Sequence, residues 1–168
     1  AAEEYHIISL LKKKFFKKGL AFEISKKSRE ILKKNAQINK ISDRIKVYES
    51  ANLLSLTSAL KNFNHRKLLF LVDIEGEEYN LFNDNFCKKF SKGTFIIEDH
   101  PFNVNNKKKV KNFIKNIKKY YKIEILKDIS KNPLNFGILD KYNDDEKYLM
   151  MSEGRPQKMQ WLILQPKK

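Results

Sequence analysis

Apolar positions recur along this chain in two periods, and the switches between them mark its elements. Ile7, Ile8, Leu11 and Phe15 fall at helical spacing within residues 3–16, with Lys12-Lys13-Lys14 and Lys17-Lys18 off the stripe. That pattern predicts an amphipathic helix, with Gly19 as the C′ residue that closes it. Residues 20–24 then read as a short buried strand bearing Glu23, and Ser25 as the N-cap of a helix through Ile31, Leu32 and Ala36. Residues 44–49 alternate as a strand, and Leu53, Leu56, Leu60 and Phe63 mark another helix. Leu68-Leu69-Phe70-Leu71-Val72 is an unbroken apolar run ending in Asp73-Ile74-Glu75-Gly76. Such a run predicts a strand buried on both faces, as in a parallel sheet covered by helices.

Beyond it, Tyr79, Phe82, Phe86 and Phe90 keep helical phase, interrupted at Asn83-Asp84-Asn85. Residues 93–98 predict a strand followed by Asp99-His100-Pro101, and residues 107–121 a basic helix whose apolar side is Val110, Phe113, Ile114, Ile117 and Tyr121. Residues 123–126 and 159–164 predict two more strands. Pro133, Gly137, Asn143-Asp144-Asp145, Gly154 and Pro156 make residues 128–158 read as loops with little regular structure. Helices and strands thus alternate through most of the chain, the pattern of an α/β sheet with right-handed crossovers.

At 168 residues the chain reads as a single domain with room for a sizeable core. Its one cysteine, Cys87, forbids an internal disulfide. No apolar run is long enough to cross a bilayer, no signal peptide is visible, and a cytoplasmic protein without a membrane partner is expected. The formal charge of +15 raises the question of nucleic acid. All the basic residues but Arg29, Arg44, Arg66 and Arg155 are lysine. Bidentate phosphate and base recognition favours arginine, so the charge reads first as a solvated surface and second as a binding footprint.

The candidate chemistry lies at the strand ends. In open parallel sheets, ligands bind just past the carboxyl ends of the strands. Glu23, Asp73 and Glu98 stand at three such ends, and Glu49-Ser50-Ala51 at a fourth. Glu23 follows Glu3 by 20 residues, the distance at which a carboxylate in a nucleotide-binding half takes the ribose hydroxyls.

In order and spacing these segments resemble the class I S-adenosylmethionine-dependent methyltransferases, most closely their FkbM-like small-molecule branch. Ala1-Ala2-Glu3-Glu4-Tyr5-His6 is similar to the tail of that family's first motif, Gly-Ala-Ala-Glu-Gly-Tyr. Ala21-Phe22-Glu23 resembles the second motif, whose acid holds the cofactor ribose, and Glu49-Ser50-Ala51 falls where the family contacts adenine. Asp73-Ile74-Glu75-Gly76-Glu77-Glu78 matches the family's Asp-x-Glu-Gly-x-Glu segment. Ile97-Glu98-Asp99-His100 resembles the end of its fifth strand, and residues 155–162 its closing strand. The chain departs from the pattern at Glu4, where the family has glycine, and the glycine before Ala1 is not present.

The resemblance implies a Rossmann-like sheet, mostly parallel with a final antiparallel strand and helices on both faces. It implies S-adenosylmethionine as cofactor, held by Ala2, Glu3, Glu4, Glu23, Ser50, Ala51 and Asp73, and a small molecule or sugar as acceptor. His100, whose unperturbed pKa lies near neutrality, is the first candidate for the base, alongside Asp73. Asp73, Glu98 and Asp99 are candidate ligands for magnesium. Two other readings stand beside this one: an RNA-methylating or nucleic-acid-binding domain, and a non-catalytic domain that keeps the fold. In the family a further strand runs between the strands corresponding to residues 20–24 and 68–73. The sequence is therefore expected to be the carboxyl-terminal part of a longer protein, with those two strands not hydrogen-bonded to each other.

Overall fold

The computed structural model describes residues 5–100, 107–127, 132–152 and 160–167. Helix α1 (Tyr5–Lys12) buries Ile8 and Leu11, as its stripe predicts. It ends earlier than expected, and not on Gly19. Phe15 N–H donates to Leu10 C=O and Lys14 N–H to Leu11 C=O, both at 3.0 Å, with Lys14 at φ 61°. This is a Schellman closure built on lysine rather than glycine. Gly19 instead opens strand β1 (Gly19–Phe22). A Cβ there would lie 2.9 Å from Ile7 Cδ1, so the missing side chain lets α1 pack closely on the strand.

Helix α2 (Lys26–Ile38) starts on Ser25, whose hydroxyl accepts the Ser28 N–H at 3.2 Å. It closes as α1 does, with Lys40 at φ 56° and Ile41 N–H bonded to Ala36 C=O at 3.0 Å. Strand β2 (Ile45–Tyr48), helix α3 (Leu53–Leu60) and strand β3 (Leu69–Val72) follow as predicted. The helical stripe beyond β3 is split, as its polar interruption implies, into α4 (Glu78–Leu81) and α5 (Asp84–Lys89). Asn83 caps α5 by accepting the Phe86 N–H at 3.0 Å. Strand β4 (Thr94–Asp99), helix α6 (Lys107–Tyr120), strand β5 (Tyr121–Lys127) and strand β6 (Gln160–Pro166) complete the expected elements.

Residues 128–158 are less irregular than their composition suggests. Their described part holds two 3-10 turns and helix α7 (Asp144–Met151), which opens on a reciprocal capping box between Asn143 and Glu146. No residue of α7 is buried, so a cap rather than an apolar face marks it. Among the described residues, no helix is long and apolar enough to cross a membrane.

The strands form two sheets, β1-β2 and β3-β4-β6-β5. Pairing is parallel in β1–β2 and β3–β4, but β6 runs antiparallel to both β4 and β5. The four-stranded sheet is therefore mixed: β3, β4 and β5 run in one direction, and the closing strand β6, inserted between β4 and β5, is the final antiparallel strand that was expected. As anticipated, β1 and β3 are not paired with each other. One consequence corrects the sequence reading of β3. Among the described residues it is an edge strand in its sheet, and Leu71 is 40% exposed where burial on both faces was expected.

Two apolar clusters meet through β1. Ala21 packs with Ile8, Leu11, Leu32, Ala36 and Ile41 beneath α1 and α2. Leu20 and Phe22, on the opposite face of the strand, pack against the larger cluster, which is rich in rings: Phe82, Phe86, Phe90, Phe95, Phe113 and Tyr121. The apolar stripe of α6 faces this second cluster through Phe113 and Ile117, and its lysines are exposed.

Candidate active site

The carboxyl ends of β1 and β2 are held together by one guanidinium. Glu23 N–H extends the pairing by donating to Tyr48 C=O at 3.0 Å. Arg29, on α2, donates through Nη1 to the carbonyls of Glu23 at 2.8 Å and Ile24 at 2.6 Å, and through Nη2 to Glu49 Oε1 at 3.0 Å. Glu49 is 81% exposed on its side chain, so the pair adds little stability; what it fixes is the relative position of the two strand ends. Glu23 Oε1 accepts the Ser25 N–H at 2.8 Å. Ser50 and Ala51 are exposed and lead into α3, with Ser50 C=O accepting from Ser55 Oγ at 2.7 Å. Glu23, Glu49 and Ser50 are thus gathered at the carboxyl end of the first sheet. Ala2, Glu3 and Glu4 lie outside the described residues.

The carboxyl ends of β3 and β4 hold a denser group. After β3 the chain reverses through residues 74–77, with Glu77 N–H bonded to Ile74 C=O at 3.1 Å. The two central residues, Glu75 at φ 54° and Gly76 at φ 101°, both have positive φ, the signature of a type I′ turn. Gly76 is suited to that conformation, whereas Glu75 is held there against its preference. The reversal aims Gly76 N–H at Glu78 Oε2, 2.9 Å away. Glu78 is completely buried, and its other oxygen accepts the main-chain N–H of His100 at 3.0 Å.

His100 is 3% exposed. Its ring lies among carboxylates: Nδ1 is 3.3 Å from Glu78 Oε1, and Nε2 is 3.6 Å from both Asp73 Oδ1 and Glu75 Oε2. Asp73 Oδ1 is buried without a hydrogen-bond partner among the described residues, although the side chain as a whole is 37% exposed. Burial, and then the charge of neighbouring Glu98, push the Asp73 carboxyl above its usual range, with His100 opposing the shift. Glu98 itself is 2% exposed.

Asp99 is turned to a different task. The Tyr79 hydroxyl donates to Oδ1 and Gln160 Nε2 to Oδ2, which ties α4, β4 and β6 together at one carboxylate. Burial and that carboxylate raise the Tyr79 phenol far above its usual range, so it remains a donor. The magnesium set expected from the sequence was Asp73, Glu98 and Asp99. The atoms that converge within 4.8 Å of one another are instead those of Asp73, Glu75 and His100. Magnesium prefers an octahedron of oxygens, often with several waters. An imidazole in the set and two committed oxygens on Asp99 fit it poorly.

Asp73, Glu98, Asp99 and His100 therefore meet at one end of the second sheet, where the strand ends placed them. Glu75 and Glu78 were not assigned roles from the sequence. A signal for Glu78 was available: it precedes Phe82, Phe86 and Phe90 by multiples of four, on the stripe that goes inside.

No family model matches the chain, and no curated protein matches it. Solved structures do. An O-methyltransferase from Bacillus cereus in complex with SAH superposes with a TM-score of 0.56 at 11% identity, over 98% of this chain and 80% of that one. A Klebsiella pneumoniae protein described as a candidate O-methyltransferase gives 0.53 at 10% identity, over 100% and 81%. At such identity the likeness is one of fold: the chain is built as an α/β, Rossmann-like protein of the kind found in these methyltransferases.

Proposed function

We propose that the protein is an S-adenosylmethionine-dependent O-methyltransferase of the FkbM-like kind, acting on a hydroxyl of a small molecule or sugar. The observation that carries this reading is the burial of His100 at the carboxyl end of the sheet, with Nε2 directed at Asp73 and Glu75, in a fold shared with O-methyltransferases. When bound, the cofactor supplies an activated methyl group. The chain aligns the acceptor and takes up its proton. His100 Nε2 accepts the hydroxyl proton, and the carboxylates of Asp73 and Glu75 stabilise the positive charge the ring then carries.

Glu23 is the ribose-binding residue in this reading. Its carboxylate ends β1, is fixed at Oε1 by Ser25, and only accepts hydrogen bonds, which matches hydroxyl donors. Ser50 and Ala51 border adenine, and Ala2, Glu3 and Glu4 the methionine part. No step runs through magnesium. A small acceptor is favoured over nucleic acid because nearly all the basic residues are lysine, which lacks the bidentate geometry of arginine for phosphate and base recognition.

Titration calorimetry of the full chain with S-adenosylmethionine tests the reading. Saturable one-to-one binding is expected. Glu23→Ala should weaken it by about 1.5–3 kcal/mol, the worth of hydrogen bonds to a charged group. An absence of binding, or an unchanged affinity in the variant, would overturn the proposed function.

A further inference from the structure

Glu78 lies inside the protein with no place in the methyl-transfer reading. A buried carboxylate is expensive unless several donors satisfy it. Here three groups converge on it: Gly76 N–H on Oε2, and the main-chain N–H and ring Nδ1 of His100 on Oε1. The two main-chain contacts alone would make Glu78 a tie between the turn after β3 and the end of β4. The ring contact adds something else. A main-chain N–H can only donate, so both Glu78 oxygens act as acceptors, and the ring nitrogen at 3.3 Å from Oε1 is matched as a donor.

We propose that Glu78 is a positioning residue that locks neutral His100 with its proton on Nδ1 and leaves Nε2 as the proton-accepting nitrogen. A carboxylate that sets the tautomer and orientation of an imidazole through one nitrogen, leaving the other for chemistry, is a recurring device in acid–base sites. The geometry has both parts of it. Nδ1 faces the buried acid, and Nε2 faces the partly open side, where Asp73 and Glu75 lie 3.6 Å away. That spacing exceeds a direct hydrogen bond, so neither carboxylate fixes a proton on Nε2 as Glu78 does on Nδ1. The strained turn contributes too, since positive φ at Glu75 and Gly76 presents the N–H that holds the far oxygen of Glu78.

The functional meaning of the lock rests on the proposed role of His100 as base. The lock itself is measured without cofactor or acceptor, so the two ideas can fail separately. The chain has three histidines, and a His6→Gln, His65→Gln double variant leaves only the ring of interest. Long-range proton–nitrogen correlation spectra, recorded above the pH at which that ring loses its charge, report which nitrogen is protonated. The expected result is a single Nδ1–H form with a pyridine-type signal at Nε2. A dominant Nε2–H form, or an even mixture, overturns the proposal and needs no substitution at Glu78. In the same background, Glu78→Met preserves bulk and removes both acceptor oxygens. If the variant folds, the Nδ1–H preference should be lost, and a retained pure Nδ1–H ring would show that Glu78 is not what fixes it. If it does not fold, the first spectrum decides.

Discussion

Asp73 and Glu78 are two carboxyl groups at the ends of the same short turn, held in opposite ways. Asp73 is only half-covered but shares its surroundings with Glu98, so burial and a like charge raise its pKa in the folded state. A carboxyl whose folded pKa exceeds its unfolded value binds more protons when native, and stability falls as pH rises through that window. The Asp73 contribution to thermal stability should therefore fall as pH rises above about 4, the unfolded value, against the opposite contributions of Glu23 and Asp84, whose pKa values are lowered. Asp73→Asn should flatten that slope and be at least as stable as wild type at neutral pH. Melting temperatures measured across pH check this; a variant that melts lower at neutral pH would show that the ionised group is stabilised. Exposure of the side chain damps the effect. Glu78 should respond differently. In Glu78→Gln the amide can accept one of the two main-chain N–H groups but must set its own NH₂ against the other. A loss of about 1–3 kcal/mol is expected in denaturant unfolding, the cost of a buried unsatisfied donor. The positions of Asp73, Glu98 and His100 were legible in the sequence because a strand end declares itself. The role of Glu78 was not, because it depends on a contact with a residue 22 positions away.

Element boundaries show what periodicity can and cannot carry. The apolar stripes of α1, α2, α3 and α6 gave these helices their buried faces, and polar residues at 83–85 gave the break between α4 and α5. Helix α7 is invisible to periodicity because none of its side chains is buried, so it has no stripe to read; its only sequence signal is the Asn143-to-Glu146 capping pair. The end of α1 was misplaced because glycine is the usual residue in the left-handed closing position, and here lysine fills it. Both Lys14 and Lys40 stand in that conformation, which costs an L-residue with a Cβ about 1–2 kcal/mol. Lys40→Gly should accordingly stabilise the protein by about 0.5–1 kcal/mol, since relief of the strain exceeds the extra backbone entropy that glycine loses on folding. Chemical denaturation would register this as a higher midpoint with an unchanged slope. A lower midpoint would mean that Lys40 makes contacts worth more than the strain.

At the scale of the whole molecule the notable feature is a sheet in two parts. Strand β1 pairs only with β2, and β3 only with β4, among the described residues. Yet Leu20 and Phe22 of β1 and Phe70 of β3 pack against one apolar cluster, so side chains join what main-chain hydrogen bonds do not. That separation was readable in advance only through the family pattern, since no periodicity records which strands are neighbours. It has a measurable consequence. In a parallel strand, N–H groups point alternately to the two edges. Strand β4 is flanked by β3 and β6, so its amides from Phe95 to Glu98 should all be protected from hydrogen exchange. In β3, protection should alternate along Leu69–Val72, slow where the N–H faces β4 and faster where it faces the open edge. Strand β1 should alternate likewise against β2. The contrast is read between neighbouring amides of one strand, so it does not depend on global stability. Uniformly slow exchange along β3 would mean that its outer edge is paired in solution.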